Sequence, residues 1–278
     1  MSLRLPSLSL AWLTRLSWSW RFTWVYLTLI LFVPVIALFL KAASLPIGRI
    51  WELATQPIAL AAYQVTFGLS LAAAALNGVF GVIIAWVLTR YDFPGKKLFD
   101  SFIDLPFALP TAVAGLTLAT VYSSEGWIGQ FFEPFGVQIA FTRWGVLLAM
   151  VFISLPFVVR TVEPLLLELE VEAEEAAASL GASPAQTFWR VILPPILPGV
   201  LAGVAQGFSR AVGEFGSVVI ISGNLPFDDL IAPVLIFERL EQYDYAGATV
   251  IGSVLLLFSL VILFVINALQ NWSSRYNG

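Results

Sequence analysis

The sequence predicts an all-α, polytopic membrane protein with about six transmembrane helices. Three observations carry that reading. Hydrophobic residues make up 59% of the 278-residue chain and charged residues 12%, with a mean hydropathy of +0.89. A soluble body of this size cannot hide so much apolar surface. Apolar runs near the ~20 residues that cross a hydrocarbon core recur at approximately 22–41, 64–90, 103–123, 143–167, 195–222 and 247–270. Finally, Lys and Arg are distributed unevenly between the intervening loops, as in membrane proteins of fixed orientation.

Arg4, Arg15 and Arg21 precede the first run, and no small-residue cleavage site follows it. It is therefore expected to be a retained helix rather than a removed signal peptide. Trp18, Trp20 and Trp24 gather where its first interface belongs, as an aromatic belt does. With the N-terminus inside, the cytoplasmic side carries Arg4, Arg15, Arg21, Arg90, Lys96, Lys97, Arg160, Arg190 and Arg275. The outside carries only Lys41, Arg49, Arg143 and Arg239. Both termini are thus expected in the cytoplasm, and acidic residues weigh little in that rule. The division that follows is a cytoplasmic segment 1–21, one membrane domain 22–270 and a cytoplasmic tail 271–278. Pro34, Pro106, Pro110, Pro156, Pro164, Pro194, Pro195 and Pro198 lie in or beside spans, where each removes a backbone donor and favours a kink.

Several chemistries are excluded. The chain has no cysteine and no histidine, so thiol catalysis, disulfides and the commonest zinc and haem ligands are absent. No phosphate-binding GxxxxGK[ST] loop occurs, because the Gly95-Lys96 pair has Arg90 where the upstream glycine belongs. No catalytic residue, metal site, bound cofactor or nucleic-acid partner is expected of this chain. If ATP drives it, ATP and Mg belong to a separate subunit.

The polar loop 165–194 is the most specific element. Placed on a helix, Ala173, Ala176, Ala177 and Leu180 recur at i, i+3, i+4 and i+7 and form one small apolar stripe. Glu168, Glu172 and Glu175 fall opposite. Gly181 suits a left-handed helix end, and Ser183-Pro184 reads as the N-cap and first residue of a second helix. That helix carries Phe188 and Ile192 on one side and Arg190 on another. The expected product is a two-helix knuckle with an alanine-lined face. The plainer alternative is a solvated amphipathic loop helix.

Glu175-Ala176-Ala177-x-x-x-Gly181, then nine residues, then Val191-x-Leu193-Pro194, resembles the EAA loop of binding-protein-dependent ABC importer permeases. That pattern more often has Ile at the Val191 position. The resemblance implies a type I ABC importer permease architecture and a loop seated in a cleft of an ATP-binding subunit. The helical-face pattern and the resemblance together put Ala173, Glu175, Ala176, Ala177, Leu180, Gly181 and Phe188 forward for that coupling. Pro106–Gly115 (PFALPTAVAG), Leu155–Arg160 (LPFVVR), Gly213–Gly216 (GEFG) and Leu240–Ala248 (LEQYDYAGA) look like the T/U-type subunits of sulfate/thiosulfate permeases. Molybdate permeases share the GEFG region. The implied partners are ATP-binding ABC subunits, a second related permease and a periplasmic sulfate-binding protein, in the lipid bilayer of a bacterial inner membrane. A molybdate-type oxyanion permease and a secondary anion transporter are the alternatives. Only two methionines and no cysteine occur, which suits a protein made when sulfur is scarce and equally suits compositional drift of the host.

Arg210 and Glu214 are the ion-pair-capable residues deep in a predicted span, four apart on one helical face. Charge at that depth is costly and points to function by default, so both are candidate pathway residues. The structural alternative is a paired clip. Backbone N–H groups at broken-helix ends could also hold an anion. Residues 222–245 form the longest segment predicted outside, with Leu230, Val234, Ile236 and Leu240 giving a helical apolar side. This segment could dock a binding protein, or it could cover the bundle.

Overall fold

The computed structural model describes residues 18–276, and these are helices and connections without strands. Arg4 and Arg15 of the expected N-terminal segment lie outside the described residues. Five helices are long and apolar enough to cross a membrane: α1 (Trp18–Ala43), α3 (Pro57–Arg90), α6 (Arg143–Glu168), α8 (Pro184–Val212) and α10, whose apolar part is Tyr245–Ala268. Between them lie the short helices α2 (Ile47–Ala54), α4 (Lys96–Ile103), α5 (Thr111–Tyr122), α7 (Val171–Ser179) and α9 (Ala232–Glu241).

Helices α3, α6 and α8 form the centre of the bundle. Lipid tails are as apolar as leucine, so close packing and polar contacts must hold such helices together. Gly199, Gly203 and Gly207 recur every four residues along α8 and let it approach α6. A Cβ at Gly203 would lie 2.7 Å from the Val158 Cα, and one at Gly199 would lie 2.2 Å from the Leu165 Cδ1. Asn77 of α3 supplies the polar contact, donating to the Val151 carbonyl at 3.0 Å and to the Ser154 hydroxyl at 2.8 Å. One apolar cluster, Val82, Leu88, Val158, Val162, Leu166, Ile192 and Ile196, lies toward the end of these helices that carries the 165–194 loop. A second gathers Val146, Met150 and Ile251 with Leu230 and Leu235 of the 222–245 segment. Helix α1 is exposed along nearly its whole length and is buried only at Ala42, against Leu53 and Val250.

Two spans differ from the sequence expectation. The single helix expected at 103–123 is broken into α4, a helical turn at Leu105–Ala108, and α5. Leu109 precedes Pro110 and is extended, with φ −82° and ψ 134°. The proline ring clashes with a helical residue before it and forces that conformation. The 12 residues of α5 span only about 18 Å at ~1.5 Å per residue, less than the ~30 Å hydrocarbon core. The fifth span begins earlier than expected, at Pro184, and stops at Val212 rather than 222. Its last turn gives way at Gly213, and a separate helical turn forms at Val218–Ile221.

The 222–245 segment covers the end of the bundle opposite the 165–194 loop. Asp229 is fully buried and accepts from Gly223 N, Leu225 N and the Ser222 hydroxyl, at 2.5, 2.7 and 2.8 Å. Its carboxylate therefore organises a turn. Leu230, Val234 and Leu235 are buried, whereas Leu240 is exposed. The inward face of α9 thus follows Leu235 rather than Leu240.

Candidate functional site

The knuckle forms as two short arms. Helix α7 ends in left-handed Gly181, with φ +83°. There the Ala182 N–H bonds the Ala177 carbonyl at 3.0 Å and the Gly181 N–H bonds the Ala178 carbonyl at 2.9 Å. These two bonds close the helix end that a left-handed glycine permits. The second arm opens with a capping box. Gln186 N donates to the Ser183 hydroxyl at 3.3 Å, while Ser183 N donates to the Gln186 side chain at 2.8 Å. Helix α8 then continues through a single wide turn, Phe188–Ile192, into the membrane.

Among the residues singled out for coupling, Ala173, Glu175, Ala176, Leu180 and Gly181 are exposed and Ala177 is half-buried. Leu180 is 89% exposed, a large apolar side chain offered outward at the corner. Phe188 does not share this surface. Its ring lies edge-on to Trp86 of α3 at 6.3 Å and joins the inner apolar cluster with Ile192. The glutamates also divide. Glu172 and Glu175 are exposed, while Glu174 turns inward and pairs with Arg90, the last residue of α3, at 2.5 Å. The sequence reading missed this pair. Arg90 was visible only as a cytoplasmic charge, and its 84-residue separation from Glu174 hides the contact.

The second constellation lies where the two broken spans meet. Arg210 Nη1 lies 2.7 Å from Glu214 Oε2. The other oxygen of Glu214 accepts from Ser217 N and the Ser217 hydroxyl, both at 2.8 Å. Glu214 is 1% exposed and the Arg210 side chain 32%. The carboxylate is thus a buried clip across the helix break, while the guanidinium borders an open groove of about 570 Å³. Phe157, Gln206, Ser209, Gly213 and Asn267 also line that groove. The PFALPTAVAG and GEFG stretches come together here. A Cβ at Gly115 would lie 2.5 Å from the Ser217 carbonyl oxygen, and one at Gly216 would lie 2.1 Å from the Thr111 hydroxyl.

Arg160 of the LPFVVR stretch holds the broken third span. It grips Asp104 with two nitrogens, at 2.8 and 2.7 Å, and reaches Asp100 and Glu163, each at 2.6 Å. A fork engaging both oxygens of one carboxylate fixes geometry as well as charge. No group of metal-ligating side chains occurs among the described residues.

A bundle with broken spans, an exposed knuckle between two of them and a charged groove defines a membrane-crossing component of a transport machine. The profile of the binding-protein-dependent transport system inner membrane component matches residues 77–276, and the chain belongs to that family. It is a multi-pass inner-membrane component that works beside other transporter subunits. The chain is 95% identical over 278 residues, all of both chains, to the sulfate transport system permease protein CysT of Synechococcus elongatus. It is 64% identical to the protein of that name from Synechocystis, over 92% of this chain and 90% of the other. Its fold is similar to that of a bacterial ABC transporter involved in import of the acidic polysaccharide alginate. That match has a TM-score of 0.74 at 17% identity, covering 90% of this chain and 92% of that one. A methionine ABC transporter in an inward-facing conformation matches with a TM-score of 0.54 at 18% identity, covering 84% and 99%.

Proposed function

We propose that this chain is a permease subunit of an ATP-driven importer that carries sulfate or thiosulfate inward across a bacterial inner membrane. The single observation that carries the reading is its 95% identity, end to end, with a sulfate transport permease. ATP and Mg are held by separate ATP-binding subunits, a second related permease completes the path, and a periplasmic binding protein delivers the anion. Residues 1–21 and 271–278 face the cytoplasm, as does the 165–194 knuckle. Its exposed face, Ala173, Ala176 and Leu180 with Glu175 beside it, is narrow and flat enough to enter a groove on the ATP-binding subunit.

Closure of two ATP-binding subunits moves two knuckles, and the spans joined to them then rearrange from inward-open to outward-open. Knuckle and pathway are distinct sites coupled through that two-state element, so each must bias the other equally in binding. At the helix junction, Glu214 neutralises much of Arg210's charge. The groove then offers an oxyanion a weak hold rather than a trap, which suits a carrier supplied by a separate binding protein. The test is purification of the assembled complex with measurement of sulfate-stimulated ATP hydrolysis. Stimulation by loaded binding protein supports the reading, and a chain that copurifies with no ATP-binding subunit refutes it.

A further inference from the structure

We infer that α3 is a two-ended strut, with Arg90 and Glu174 as the positioning residues that fasten the knuckle to it. At the cytoplasmic end, the Arg90–Glu174 pair is only 18% and 23% exposed, so solvent screens it less than an ordinary surface pair. The same guanidinium lies over the Trp86 ring at 5.5 Å, and that ring meets Phe188. Both arms of the knuckle therefore bear on one helix end, α7 through Glu174 and the start of α8 through Phe188.

The other end of α3 holds the periplasmic segment. Ala232 N, at the start of α9, donates to the Thr66 hydroxyl at 2.8 Å. Arg239 of α9 donates to the Gln56 side chain at 3.0 Å, and Gln56 is the residue that caps α3. Between these attachments run 34 residues whose only proline is at the first turn, whereas α6 and α8 both carry interior prolines. At ~1.5 Å per residue this is a rod of about 50 Å. Asn77 ties its middle to α6. A displacement imposed on the knuckle is thereby carried to the face presented to the binding protein. This inference rests on the proposed function.

The experiment uses the complete complex in lipid nanodiscs. Sulfate-dependent stimulation of the unaltered complex checks the functional reading itself. Against that baseline, Arg90→Gln and Glu174→Gln each lower the stimulation by sulfate-loaded binding protein about five-fold or more, the low end of ordinary coupling between sites. Basal ATP hydrolysis and copurification persist. The exchanged pair Arg90→Glu with Glu174→Arg restores most of the stimulation, which a merely disruptive effect would not do. Single variants that respond like the unaltered complex, or an exchange that restores nothing, overturn the strut.

A second measurement needs no cargo. The chain has no cysteine, so in a complex whose other subunits have had their cysteines replaced, Leu71→Cys on the exposed side of α3 and Ala178→Cys on α7 place two spin labels. Their separation stays constant between nucleotide states in the otherwise unaltered protein and broadens with Arg90→Gln. A shift beyond about 5 Å, roughly one helical turn, between nucleotide states of that protein refutes rigid attachment.

Discussion

Replacing Arg210 with glutamine separates a structural clip from a pathway residue. The substitution leaves the Glu214 carboxyl 1% exposed and short of its cationic partner. Removing one member of a fully buried pair costs about 3–5 kcal/mol. Here two features reduce that figure: the removed side chain is 32% exposed, and Ser217 still donates twice to the carboxylate. The expected loss is about 1–3 kcal/mol, a fall in Tm of several degrees at roughly 2–4 °C per kcal/mol for a chain of this size. Glu214→Gln should cost less, about 1 kcal/mol. It leaves Arg210 at an open groove, and the amide oxygen can still accept from Ser217. The double variant Arg210→Gln/Glu214→Gln removes both charges and should recover stability toward the Glu214→Gln level. Thermal unfolding of the assembled complex and uptake per complex provide the readouts. If uptake returns with stability, Arg210 is a clip; if stability returns alone, Arg210 acts on the anion. Glu214→Gln proving the more harmful single change would refute the reasoning.

Three further outcomes are expected. Leu180→Asp, at the 89% exposed corner, should abolish copurification of the ATP-binding subunit while shifting thermal stability by no more than about 0.5 kcal/mol, as surface changes do. Gly203→Val forces side-chain atoms against the Val158 backbone, and overpacking of that kind costs about 1–3 kcal/mol. Gly68→Ala, which meets nothing within 4 Å, should be neutral or slightly stabilising when the two are unfolded side by side. Asp229→Ala strands two backbone donors, Gly223 N and Leu225 N, at about 1–3 kcal/mol each, while the Ser222 hydroxyl keeps the backbone carbonyl of residue 229 at 3.2 Å. It should therefore lower Tm and increase proteolysis between 222 and 231.

The knuckle was legible because its instructions are local. Gly181 adopts its left-handed turn for want of a Cβ, and the Ser183-Pro184 start needs only residues within one helical turn. The breaks were less legible. Pro110 marks the interruption of the third span, yet an apolar run read by composition continues through it. The end of α8 at Gly213 lies among Arg210, Glu214 and Gly216, inside a span whose limits are drawn by the apolar residues on either side. The spacing Gly199, Gly203, Gly207 was present in the chain, but only the approach of α6 shows what it accommodates. On α9, periodicity chose Leu240 for the inner face where packing buries Leu235, because a short helix has several similar apolar arcs.

The chain by itself determined membrane residence, the helical class, the knuckle and the lack of a GxxxxGK[ST] loop. These depend on composition and on interactions within a few residues. Tertiary structure alone decided that Glu174 turns inward to Arg90 while Glu175 stays exposed. It also decided that Glu214 is buried while Arg210 borders a groove. Adjacent or near-adjacent charges look alike in sequence; their roles separate when helices distant along the chain pack against one side of them and leave the other open.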